Sequence, residues 1–185
     1  FKNTMDQYSN PLVGRYSSKE MSYTFSPLKK FSTWRKLWLS LAKAEKQLGL
    51  PITDDQIKEL ESHQNITDEG IKVAKEYEKK FRHDVMSHVH AYGEECPLAK
   101  PIIHMGATSC FVGDNTDVIQ MKEGLELLRK KMLTVIYTLS KFAEQYKDQP
   151  TLGFTHLQPA QLTSVGKRAT LWLQDYLFDF EELTH

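Results

Sequence analysis

The clearest pattern in this chain is a run of apolar positions at Val118, Met121, Leu125, Leu128, Met132, Val135, Leu139, Phe142 and Tyr146. The steps alternate between three and four residues without a miss, which is a heptad seam on one face of a long helix. About 32 residues at the helical rise give a rod of roughly 48 Å. A compact chain of this size has a radius of gyration of only about 16 Å. The helix is therefore expected to project beyond its own small domain, and its stripe needs a cover from further chain or another subunit.

Other helices follow from the same periodicity. One is expected after Ser32 as its N-cap, with apolar positions at Trp34, Leu37, Leu41, Ala44 and Leu48 and a stop at Gly49 and Pro51. Thr53-Asp-Asp-Gln56 has the form of a capping box and opens a short helix to about Ser62. A third follows Thr67, and its stripe of Ala74, Tyr77, Phe81, Val85, Val89 and Tyr92 reads as one continuous element. Pro159 suits a first helical turn, so a last helix is placed from there through Leu162, Val165, Ala169, Trp172 and Tyr176. Residues 1–31 and 97–115 read as irregular. No strand is predicted, apart from a brief extended stretch at 101–105. The fold class is all-α. A small helical N-terminal domain is expected over 1–110, followed by the beginning of a long-helix bundle domain over 111–185.

Composition narrows the function classes. Lysines and arginines number 24, as do aspartates and glutamates, so no global field draws the protein to nucleic acid or an anionic membrane. No run of about 18 apolar residues is present to span a bilayer. Two cysteines, Cys96 and Cys110, are too few for a disulfide-built fold and point to a reducing compartment, with Cys110 expected to be small and buried. The chain starts at Phe1 and runs to His185 in a helical pattern with no stop signal. A longer protein is expected on both grounds.

Three polar segments could carry chemistry. His104 to Asn115 and Thr151 to Gln161 combine small residues, hydroxyls and a histidine beside helix starts. Such places either cap a helix or bind a carboxylate through backbone N–H groups, hydroxyls and the helix dipole. Arg82-His83-Asp84, placed late on the third helix, clusters a donor, a titratable ring and an acceptor, or is a solvated face. Zinc does not fit the nearby histidines. On a helix His88 and His90 point about 200° apart, and His83 lies about 10 Å along the axis from His90. No H-E-x-x-H, paired-cysteine or phosphate-loop motif occurs.

Together these segments resemble the fumarase/aspartase superfamily, and within it the branch that cleaves adenylosuccinate. His104-x-Gly-x-Thr-Ser with Asp114-Asn115 is similar to the first superfamily region, and Thr155-His156-x-Gln-Pro-Ala-Gln161 to the second. Arg82-His83-Asp84 marks the branch. The resemblance implies cleavage of adenylosuccinate to AMP and fumarate, and of the succinylated aminoimidazole carboxamide ribotide to its amide and fumarate. It implies His156 as general acid and His83 as a supporting, substrate-side histidine. It implies substrate contacts by Arg15, Tyr16, Arg82, Asp84, Thr108, Ser109 and Thr155. It further implies no metal or organic cofactor, a cytoplasmic homotetramer with shared active sites, a small-molecule nucleotide as substrate, and neither nucleic acid nor membrane as partner. The third superfamily region, a Ser-rich Met-Pro loop bearing the catalytic base, has no counterpart in this sequence. It is expected beyond residue 185, which makes the 185-residue piece inactive alone. The competing readings are another superfamily lyase, such as one acting on argininosuccinate, and a helical scaffold without catalysis.

Overall fold

The computed structural model describes residues 8–185. Its helices are α1 (Lys19–Thr24), α2 (Pro27–Gln47), α3 (Asp54–Ser62), α4 (Asp68–Phe81), α5 (Asp84–Glu95), α6 (Ser109–Gln145) and α7 (Val165–Thr184). A π-helical turn at Leu12–Tyr16 and a 3-10 turn at Lys100–Ile102 complete the helical set. Strands β1 (Pro150–Thr155) and β2 (Gln158–Ser164) pair antiparallel. The all-α expectation holds for the architecture as a whole, with this hairpin as its exception. By its contacts the chain divides into one unit ending at Glu123 and a second covering Gly124–His185.

Part of the expected irregular start, residues 1–7, lies outside the described residues. The remainder is mostly helical. Helix α2 begins five residues earlier than its expected cap, because Ser26 caps it by accepting from the Lys29 N–H and Pro27 fills the first turn. Ser32 lies within the helix and its hydroxyl instead accepts from the Ile66 N–H at 3.1 Å. The capping box at Thr53 and Gln56 forms with both reciprocal bonds, as the sequence predicts. The expected single third helix is in fact two. The break falls at Arg82 and His83.

The core of the first unit gathers Trp34, Trp38, Leu60, Val85, Tyr92 and Val112, all buried. Arg35 is buried among them. Its guanidinium donates to both Glu95 carboxylate oxygens at 2.6 and 3.0 Å and to the His63 carbonyl at 2.8 Å, and lies 4.4 Å from the Tyr92 ring centroid. The Tyr92 hydroxyl donates to the Leu60 carbonyl at 2.6 Å, closing α5 onto α3. His88 stacks on Phe31 at 3.8 Å and meets Trp34 edge-on. Burial, with the Arg35 charge adding to it, pushes the His88 imidazole down from its ordinary 6.5 to about 4.

Helix α6 starts at Ser109, so the second half of the expected 97–115 loop is helical, and residues 101–105 form turns rather than an extended stretch. Its 37 residues correspond to about 55 Å. Val112, Thr116 and Gln120, spaced by four, form its buried face in the first unit. Gln120 donates to the Thr24 carbonyl at 2.7 Å, and Lys29 pairs with Glu123 at 2.8 Å. The heptad seam is a different face. Val118, Met121, Leu125, Leu128 and Phe142 along it are exposed.

In the second unit the expected helix start at Pro159 is corrected. Pro159 lies in β2 opposite Phe154, where its missing N–H is tolerated in an edge strand. The register changes between Leu152 and Phe154, leaving one extra residue on β2. A Cβ at Gly153 would stand 3.1 Å from the Gln161 carbonyl oxygen, so glycine admits that carbonyl at the bulge. Ser164 caps α7 by accepting from the Lys167 N–H. The free N–H groups of Val165 and Gly166 then donate to the carbonyls of Gln149 and Tyr146 at 2.9 Å each. The start of α7 and the end of α6 thus satisfy each other's unpaired groups.

Two outcomes test these assignments. A group neutral in the folded state with a depressed basic pKa loses nothing above its unfolded pKa, and destabilises as pH falls toward the folded value. His88 therefore holds its full contribution above pH 6.5 and loses it on acidification to about pH 4, a loss of about 3 kcal/mol. His88→Gln is expected to flatten that limb in urea unfolding measured across this range. A methyl at Gly166 would stand 2.6 Å from the Lys147 Cα and closer still to the Ala143 carbonyl oxygen. Gly166→Ala is expected to cost about 2 kcal/mol or more, read from the same unfolding curves.

Candidate active site

The Arg82-His83-Asp84 triplet, expected late on one helix, lies at a corner between two. Arg82 ends α4 in the left-handed conformation at φ 51°, and its N–H donates to the Glu78 carbonyl at 2.8 Å. His83 is extended and caps α5, its Nδ1 accepting from the Met86 N–H at 3.3 Å. An Nδ1 that accepts leaves the proton of a neutral ring on Nε2, which becomes a donor. The His83 carbonyl accepts from both the N–H and the hydroxyl of Ser87, a fully buried residue. Asp84 accepts from the Val85 N–H at 2.8 Å and stands 3.8 Å from His83 Nδ1. The corner is thus fixed from within by α5, while the side chains of Arg82, His83 and Asp84 remain exposed.

His104 approaches this corner from the loop before α6. Trp38, buried in α2, donates its indole N–H to His104 Nδ1 at 2.9 Å, and the rings meet edge-on at 5.9 Å. Burial and, second, the neighbouring His83 hold the His104 imidazole below its usual range. His104 is therefore a neutral ring with its Nε2 as donor. From the sequence, His104 belongs to a motif but carries no role of its own. Its partner lies 66 residues away in the chain, so no local pattern could have shown it.

Thr108 and Ser109 stand exposed at the N-terminal end of α6, anchored behind by Val112 in the core and by the Phe111 N–H, which donates to the Thr108 carbonyl at 3.0 Å. Hydroxyls at a helix start suit the binding of a carboxylate. Asp114 and Asn115 lie within the helix rather than in a loop. The Asn115 amide donates to the Phe111 carbonyl. Arg15 and Tyr16 close the π-helical turn, with the guanidinium 5.7 Å from the Tyr16 ring centroid and both side chains exposed.

The second unit carries Thr155 and His156 at the hairpin tip. Thr155 pairs with Gln158, so His156 and Leu157 are the two turn residues, with φ of 48° and 60°. Positive φ at both positions matches the twist of a tight hairpin, a geometry normally signalled by Asn-Gly or Asp-Gly. That signal is missing here, which is why the hairpin escapes sequence analysis. The Thr155 hydroxyl and His156 Nδ1 are hydrogen-bonded at 3.0 Å, and the imidazole is exposed.

Cys110 is exposed, contrary to expectation, because it starts α6 on the face away from Val112. Cys96 is the buried cysteine, and burial pushes its thiol up to about 12. Among the described residues no group of three or more histidines, cysteines or acids is arranged to hold a metal ion. None of the described helices is long and apolar enough to cross a membrane.

A family model described as lyase matches residues 28–185, and the chain belongs to that family. It is 57% identical over 94% of its length to a protein of Saccharomyces cerevisiae named adenylosuccinate lyase, and covers 36% of that protein. A protein of Schistosoma mansoni with the same name is 48% identical over 96% of the chain, which covers 37% of it. The chain therefore spans little more than a third of the length of these relatives. In fold it is similar to a 3-carboxy-cis,cis-muconate lactonizing enzyme from Pseudomonas putida, with a TM-score of 0.83 at 24% identity over 95% of this chain and 41% of that one. A fumarate lyase from Mesorhizobium sp. BNC1 gives 0.81 at 23% identity, over 91% and 40% of the two chains.

Proposed function

We propose that this chain is the front part of a lyase that cleaves adenylosuccinate to AMP and fumarate, and the succinylated aminoimidazole carboxamide ribotide to its amide and fumarate. The observation that carries the reading is the 57% identity to the yeast protein of that name across nearly the whole chain, with every motif residue included in the span. The reaction breaks a C–N bond after a proton leaves the carbon next to a carboxylate. The departing nitrogen needs a proton, and His156 is the donor, on an exposed turn where its ring can reach a substrate. The carbanion's charge grows onto the carboxylate, and Thr108, Ser109 and Thr155 supply fixed donors for it. His83 supports the substrate, with Arg82 and Asp84 as neighbouring contacts, and Arg15 and Tyr16 hold the nucleotide, the arginine suiting its phosphate. The general base comes from a part of the full-length protein outside these residues.

The active enzyme is a cytoplasmic homotetramer in this reading, with each site built from several subunits. The exposed seam supports it. Leu125, Leu128, Met132 and Val135 of α6 line an open apolar groove of about 730 Å³ together with Tyr176 and Leu183 of α7. Such a surface on a helix calls for a covering helix.

Absorbance-monitored cleavage of adenylosuccinate by the full-length protein tests the proposal directly. Turnover is expected. Preference for argininosuccinate, or no turnover of either, would overturn it. His156→Ala in that protein is expected to lower kcat at least about 100-fold with the oligomer intact by light scattering. A near-normal kcat would remove His156 from the acid role.

A further inference from the structure

The α4–α5 corner has a feature that the reaction does not by itself require. Arg82 occupies the left-handed region, which is unfavourable for a residue with a Cβ, and no glycine or asparagine eases the turn. Directly before it, three rings from the two helices meet. Tyr77 and Phe81 of α4 lie nearly parallel, 5.6 Å apart at 5°. His90 of α5 stacks on Phe81 at 4.7 Å and on Tyr77 at 5.2 Å, inclined by about 25° to each. One helical turn further on, Glu94 accepts from the Tyr77 hydroxyl. The stack therefore joins the last turns of α4 to the middle of α5, with one of its rings on the residue that precedes Arg82. Phe81 itself is exposed, so it is not retained by core burial.

We propose that His90 is a positioning residue: its ring, clamped against Phe81 and Tyr77, holds the Arg82-His83-Asp84 corner in the conformation that meets the substrate. The part about the substrate rests on the function proposed above. The part about the corner does not. His90 acts through stacking area rather than through a proton. Phenylalanine at this position should therefore serve, and alanine should not.

The test uses the full-length protein with His90→Ala and His90→Phe, together with Phe81→Leu, which removes a ring on the other side of the stack while keeping apolar bulk. Amide hydrogen exchange over residues 82–87 and the KM and kcat for adenylosuccinate are measured for each. His90→Ala and Phe81→Leu are expected to speed exchange over 82–87 and raise KM by roughly five-fold, the equilibrium factor of one ring-stacking contact, with kcat changed less. His90→Phe is expected to restore both. Unchanged exchange over 82–87 in both ring-removing variants overturns the proposal, as does a fall in thermal stability with KM unaltered. Should the wild-type protein not cleave adenylosuccinate, the functional reading fails, while faster exchange in His90→Ala still supports the clamp. Should His90→Ala not fold, Phe81→Leu and His90→Phe decide the matter with the same measurements.

Discussion

The first unit depends on one buried cation. Arg35 cannot shed its charge, so a fold that takes it out of water must surround it with acceptors, or pay several kcal/mol. Three groups from two segments answer that demand: Glu95 and the ring face of Tyr92, both on α5, and the His63 carbonyl at the end of α3. Because the guanidinium is planar and the Glu95 contact is two-pronged, the direction of α5 relative to α2 is set as well as its distance. The neighbouring Gly70 is part of the same constraint. A Cβ there would stand 2.9 Å from Ile66 Cγ1, 3.1 Å from Glu95 Oε1 and 3.3 Å from an Arg35 nitrogen, so a side chain at this position would press on the ion pair.

That constraint reaches the candidate site through α5. The helix is fixed at its far end by Arg35 and along its length by Tyr92, and its near end begins at Asp84, with His83 as the cap. His83 is therefore a rigid projection of the core rather than a loop residue. His104 is held in the same manner, by the indole of the core residue Trp38. His104 is thus held directly by a core tryptophan and His83 through α5, and the N–H that each Nδ1 accepts, from Trp38 and from Met86, sets the tautomer of a neutral ring. Preorganisation of that kind is what a site needs in order to stabilise charge without rearrangement.

The second unit solves a different problem. Its hairpin is too short to stand alone, and it is closed at the base by backbone bonds between the end of α6 and the start of α7. Gly166 allows that contact. His156 is thereby carried at the tip of a strut, in a turn whose positive φ values are held by the strand pairing beneath it.

Much of this molecule can be read from its residues alone. The capping box at Thr53, the long heptad helix and the helical character of the whole all follow from local periodicity and local hydrogen bonding. Those signals involve residues three or four apart, so they survive without knowledge of the rest of the fold. The corner at Arg82 does not, because its apolar stripe runs through Phe81 to Val85 without a gap and only packing breaks the helix there. The hairpin does not either. Its turn residues, His156 and Leu157, lack the usual turn chemistry, and Pro159 serves a strand edge as readily as a helix start. The Trp38–His104 bond and the burial of Arg35 join residues far apart in sequence. Local order along the chain was thus determined by the sequence itself. Which neighbours meet across it, and so which side chains face outward, was decided by the tertiary structure, since long-range burial outweighs the small local preferences that periodicity reports.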